Sequence, residues 1–173
     1  MSIEPVLSWA ANHVGHGASV VAAEGLRAGS GPWRLGIDYG GTVLEVVLRV
    51  GDPGTRQLLA TEAAALALAE EHHLAAPRLL AVDLDGAAAG RPALLMTVLS
   101  GSSTIPATAS RARLRALGAA AATLHTVASG PRPGLPRRVR PLDDVDFAAM
   151  RRATGSSPLL EAAEERSIRP RSP

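Results

Sequence analysis

The stretch GGTVLEVVLRVGDPG, residues 40–54, leaves the chain little conformational choice. It is rich in β-branched residues and alternates, with Leu44, Val46, Leu48 and Val50 on one face and Val43, Glu45, Val47 and Arg49 on the other. Period two of this kind predicts a strand over residues 43–50. Asp52-Pro53-Gly54 breaks it, and Tyr39-Gly40-Gly41 turns into it from a preceding run, Trp33 to Ile37. The first face is a core face. The second is apolar yet carries charges, as the wall of a ligand cleft does.

Around this strand the chain reads as alternating elements. Residues 3–14 predict a short helix, 19–26 a strand, and Ala28-Gly29-Ser30-Gly31 a hairpin turn. After the break, residues 56–73 predict a long helix that stops before Pro77. On it Leu59, Glu62, Leu66, Ala69 and His73 recur at spacings of three and four, which places Glu62 within an apolar stripe. Two strands follow, 78–83 and 93–99, joined by a Gly/Ala loop. A polar linker, 100–109, leads to an amphipathic helix over 110–127 with Leu114, Leu117, Ala121 and Leu124 on its inner face. A Pro/Arg-rich connector, helical stretches near 145–152 and 158–166, and a disordered tail, 167–173, complete the chain.

Composition narrows the chemistry. There is no cysteine, hence no disulfide and no thiol nucleophile. All 18 basic residues are arginine, so neither a Walker A lysine nor a Schiff base is available. A net charge of +2 with a pI near 10.3 reflects the scarcity of groups titrating between His and Arg. Residues 86–142 hold eight arginines and no acid, a stretch that suits a solvated helix face and connector better than a nucleic-acid surface. No run of 18 apolar residues and no leader pattern occurs, so the expectation is a cytoplasmic chain without membrane association. The five histidines lack an accompanying carboxylate cluster, and no metal site is expected from them.

Asp38-Tyr39-Gly40-Gly41-Thr42 also resembles the D-x-G-G-T phosphate hairpin of actin-like sugar kinases. No second Gly-rich phosphate loop follows, and a tight turn alone accounts for the glycines. The order of elements points elsewhere. Strand, Gly-rich turn, strand, strand with a cation, helix with an inward carboxylate, two strands, linker and helix is the layout of a protein-kinase-like small lobe entering its large lobe. Arg49 and Glu62 are the cation and carboxylate with suitable faces for holding phosphates.

The segments VVLRVGDP, TEAAALALAEEHHLAAPRLLAVDLDG, GRPALLMTVLSG and LRALGAAAATLH resemble, in order, the aminoglycoside-phosphotransferase-like family of small-molecule kinases, and the tract 135–165 resembles the inter-lobe region of actinobacterial-type members. The resemblance implies an α+β fold, a kinase-like N-lobe (residues 1–99) with a five-stranded antiparallel sheet and an αC-like helix, followed by a partial helical C-lobe (110–166). It implies ATP and Mg2+ as cofactors and a small-molecule hydroxyl as acceptor. By position, Arg49 stands for the phosphate-binding lysine and Glu62 for its partner. Val47 would touch the adenine, and Met96, Thr97 and Val98 would form the hinge. Ala28, Gly29, Ser30 and Gly31 would form the loop over the phosphates.

The family's catalytic loop, H-G-D-x-x-x-x-N, has no counterpart. The one asparagine is Asn12, and Asp143, Asp144 and Asp146 are followed five residues on by Ala148, Ala149 and Arg151. The expectation is an N-terminal fragment of an ATP-dependent phosphotransferase, truncated before that loop and inactive alone; the alternative is a non-catalytic nucleotide-binding or interaction module. The apolar stripe of the 110–127 helix implies self-association where no large lobe covers it.

Overall fold

A computed structural model describes residues 3–27, 31–101, 108, 110–127, 130 and 132–135. The elements run α1 (Glu4–Val14), β1 (Ser19–Gly25), β2 (Trp33–Tyr39), β3 (Thr42–Val50), a 3-10 turn (Pro53–Thr55), α2 (Arg56–Glu71), β4 (Leu79–Asp83), β5 (Ala93–Thr97) and α3 (Arg111–His125). All strand pairs are antiparallel, in the order β1-β2-β3-β5-β4. The fold is α+β, a kinase-like N-lobe, as the order of elements implied.

The β2–β3 hairpin closes through Gly40 and Gly41, at φ +61° and +80°, with Tyr39 directly opposite Thr42. Two left-handed residues in a two-residue loop match the right-handed twist of the strands, and only glycine takes this conformation without cost. The Asp38 carboxylate accepts the Gly41 N–H at 3.0 Å. The D-Y-G-G-T stretch is thus a hairpin turn, and the turn sets the register of β2 against β3.

One face of the sheet packs on α1. Val6, Trp9, Ala10 and Ala11 of the helix meet Leu35, Ile37, Val46, Leu48, Ala81, Ala93 and Leu95, all buried. The other face packs on α2 through Leu59, Leu94 and Met96, with Val47, Ala63, Leu66 and Leu79 around them. β5, buried on both faces, is the central strand in this respect, and its run ALLMT is accordingly apolar throughout.

Three details differ from the sequence expectation. Leu44 is exposed, because β5 ends at Thr97 opposite Val46 and leaves that part of β3 at a free edge beyond α1. α2 stops at Glu71, not at 73: His73 takes φ +52°, its N–H bonds to the Glu70 carbonyl, and the Leu74 N–H reaches back to Ala69. That is a Schellman closure with histidine where glycine is usual, and it removes His73 from the helix stripe. α3 has no buried residue, so its expected inner face, Leu114, Leu117, Ala121 and Leu124, has no cover from the described residues. The remaining helices and tail expected beyond α3, and Ala28 to Ser30, lie outside the described residues.

Candidate functional site

Arg49 is the penultimate residue of β3, opposite Leu94, and its side chain leaves the sheet on the α2 side. Glu62 lies on the stripe of α2 that includes buried Leu59 and Ala69, so the helix presents its carboxylate to the sheet. Arg49 Nη1 donates to Glu62 Oε1 at 3.1 Å, with the two side chains 36% and 25% exposed. A pair this sheltered lies between exposed pairs, which contribute up to about 1 kcal/mol, and buried ones, where losing one partner costs about 3–5 kcal/mol. The arginine keeps several donors beyond the one given to Glu62.

The same sheet face is only half covered by α2. Beyond Val47 it continues over Glu45 and Val43 on β3 and over Arg34, Gly36 and Asp38 on β2. A Cβ at Gly36 would press on Val43 Cγ1 at 3.3 Å and Ala22 Cβ at 3.4 Å, so a side chain there would crowd its neighbours. Val21 and Val43 are more than half exposed there. Arg34 Nη2 donates to Glu45 Oε2 at 2.6 Å across the strands. That hydrogen bond, with the Coulomb attraction of Glu45, raises the Arg34 pKa further above its ordinary value.

The remaining site residues are distributed as follows. Met96 is buried under α2 and is core in its side chain. Thr97 is partly buried; its N–H donates to the Arg78 carbonyl at 3.0 Å and its Oγ1 accepts the Arg78 N–H at 2.9 Å. The Thr97 amide is therefore committed to the start of β4. Val98 and Gly31 are partly buried, while Gly29 and Ser30 lie outside the described residues. At the end of the paired β1 and β2 strands the Leu26 N–H donates to the Pro32 carbonyl at 2.8 Å.

Three supports were not anticipated from the sequence. The Arg34–Glu45 pair follows from the register, since Arg34 opposite Val47 is diagonal to Glu45, and the Gly40-Gly41 turn carries that information. The second is Asp83, whose carboxylate accepts the N–H groups of Ala87, Ala88 and Ala89 and folds the β4–β5 loop around itself. Burial pushes its pKa up, but the Ala89, Ala88, Ala87 and Gly86 amides together bring it below the ordinary carboxylate value. The same loop carries Asp85, which pairs with Arg56 at the start of α2 at 2.7 Å. Third, Arg132 reaches Glu71 at the end of α2 with two donors, at 2.5 and 3.1 Å, and holds the Glu71 pKa down. Among the described residues, no group of three or more His, Asp and Glu side chains could hold a metal ion, and no helix is long and apolar enough to cross a membrane.

A five-stranded antiparallel sheet whose third strand carries a cation, fixed by a carboxylate on the following helix, is the small lobe of a kinase-like phosphotransferase. In agreement, the model of the phosphotransferase enzyme family (APH) matches residues 23–169, most of the chain. The chain belongs to that family. No curated protein and no solved structure matches it.

Proposed function

We propose that this lobe binds ATP, with Arg49 on the α- and β-phosphates and Glu62 holding Arg49 in place. The observation that carries this is the 3.1 Å contact between the two on the cleft-facing side of the sheet. An arginine that pointed into solvent would need no carboxylate from the neighbouring helix. Val47, two residues before Arg49 on the same face, is the apolar contact for the adenine, and the backbone at Met96 to Val98 lines its edge, without the Thr97 amide. By the family resemblance residues 28–31, of which 28–30 lie outside the described residues, would cover the phosphates. Arginine where the family uses lysine offers a planar fork in place of a point charge, which suits two phosphate oxygens at once.

Magnesium would accompany the nucleotide and shield its phosphate charge. The aspartate and asparagine that hold it in the family's catalytic loop have no counterpart in this sequence, nor has the aspartate that positions an acceptor hydroxyl. The chain as it stands therefore binds nucleotide without transferring phosphate.

Titration calorimetry with Mg-ATP on the 173-residue chain tests this. Micromolar binding is expected, weakened about tenfold or more by Glu62→Ala or Arg49→Met, which is the range for truncating one member of a sheltered charge pair. No heat of binding at millimolar Mg-ATP would reject the reading.

A further inference from the structure

The Arg34–Glu45 pair lies on the open half of the sheet face that the nucleotide reading assigns to the adenine. Arg34 is directly opposite Val47 in the β2–β3 register, on the same face, and is the first residue of β2 to point that way. Its side chain is 42% exposed, yet its Nε is buried and has no hydrogen-bond partner. The side chain therefore lies along the sheet with its Nε edge covered, and does not stand out into water. Glu45 holds Nη2 from the neighbouring strand and limits its rotation. Gly36, directly opposite Glu45, adds no side chain between Val43 and Ala22 beside the pair. Glu24 on β1 is directly opposite Arg34, so beside the apolar patch of Val21, Ala22, Val43 and Val47 the guanidinium is a partly covered cation held between strands by carboxylates.

Resting on the nucleotide reading above, we propose that the Glu45-pinned guanidinium of Arg34 is the surface on which the purine ring stacks, making Arg34 a specificity-determining residue for the base. A guanidinium plane stacks on aromatic faces through both its charge and its shape, and pinning removes the rotamer entropy that a free arginine would lose. A lysine would supply the charge without the plane.

The test separates base from phosphate. Adenosine, ATP and inorganic tripolyphosphate are titrated against the full chain by ligand-observed NMR, for wild type, Arg34→Leu, Arg34→Lys and Arg49→Met. Both Arg34 variants should weaken adenosine and ATP about three- to tenfold, within the range for a cation on an aromatic face, and leave tripolyphosphate unchanged. Arg49→Met should weaken ATP and tripolyphosphate and leave adenosine unchanged. Glu45→Gln, which keeps Arg34 but loosens it, should give a smaller loss for adenosine. Both positions are half exposed, so thermal melts should stay near wild type and serve as the folding control. Wild-type adenosine affinity in Arg34→Leu, or full rescue by Arg34→Lys, would overturn the stacking role while the nucleotide reading stands. Tripolyphosphate weakened by Arg34→Leu as much as ATP would make Arg34 a phosphate ligand instead. A wild-type chain binding neither ATP nor adenosine would remove both readings together.

Discussion

Helices α2 and α3 are alike as sequences, 16 and 15 residues long, rich in alanine, each with a leucine stripe. Their surroundings differ. α2 is held at its start by Arg56–Asp85, along its length by Leu59 and Ala69 in the core and by Arg49–Glu62, and at its end by Arg78–Glu70 and Arg132–Glu71. α3 is well started, with the Ser110 hydroxyl accepting the Arg113 N–H, but none of its residues is buried, and Leu117 is 68% exposed. Capping and propensity give a helix its ends and its period. Burial needs a partner, and an isolated helix of this length is marginal in water.

The most direct way to break the comparison is to shorten one leucine in each helix. Leu59→Ala removes a fully packed side chain and should cost about 2–4 kcal/mol in urea unfolding. Leu117→Ala should change stability by less than about 0.5 kcal/mol. Equal costs would mean that α3 is packed in solution. The exposed stripe makes a second demand, because Leu114, Leu117 and Leu124 together form an apolar surface. Light scattering across a concentration series should show self-association that Leu117→Glu reduces. A chain that stays monomeric at every concentration would show that the stripe needs no cover.

The contrast also marks what sequence reading reaches. Arg49 and Glu62 were legible as a pair because period two and period 3.6 each put one of them on an inward face, and the two elements are adjacent in the chain. The antiparallel sheet was expected from the family resemblance, and the structure has it in the order β1-β2-β3-β5-β4. Leu44 was placed in the core by the same alternation, which cannot tell where a neighbouring strand ends. Arg132–Glu71 joins residues 61 apart, so only the folded chain reveals it. The end of α2 was missed because the left-handed position that closes it is a histidine, without the glycine that would signal it.

Asp83 sharpens the comparison at the start of α2, since the loop that it folds also carries the partner of Arg56. Asp83→Ala leaves three amides without their acceptor and should cost about 1–2 kcal/mol. The pH dependence has a definite sign. The carboxyl is held below its ordinary value in the folded chain, so its contribution is present in full above the unfolded value of about 3.9 and is lost as pH falls through the lower folded value. Stability measured from pH 5 downward should therefore fall less steeply in Asp83→Asn than in wild type. Parallel curves would mean that the amides do not prefer the charged form.

At the other end of α2 the effect is smaller and of opposite sign. His73 holds φ +52° in the Schellman closure, a conformation that costs an L-residue about 1–2 kcal/mol, while glycine takes it freely but loses more entropy on folding. The closure uses only backbone groups, the His73 N–H on Glu70 and the Leu74 N–H on Ala69, so His73→Gly keeps both. The net expectation is a gain of about 0.5 kcal/mol, or roughly 1–3 °C in the melting temperature of a chain this size. Thr126, the residue after α3, is the matched control: its φ is −79°, an ordinary helical value. Thr126→Gly therefore has no strain to relieve and adds only flexibility, with a loss of the Thr126 hydroxyl bond to the Thr123 carbonyl. A stabilised Thr126→Gly, or a destabilised His73→Gly, would show that the two helix ends are not closed by the conformations described.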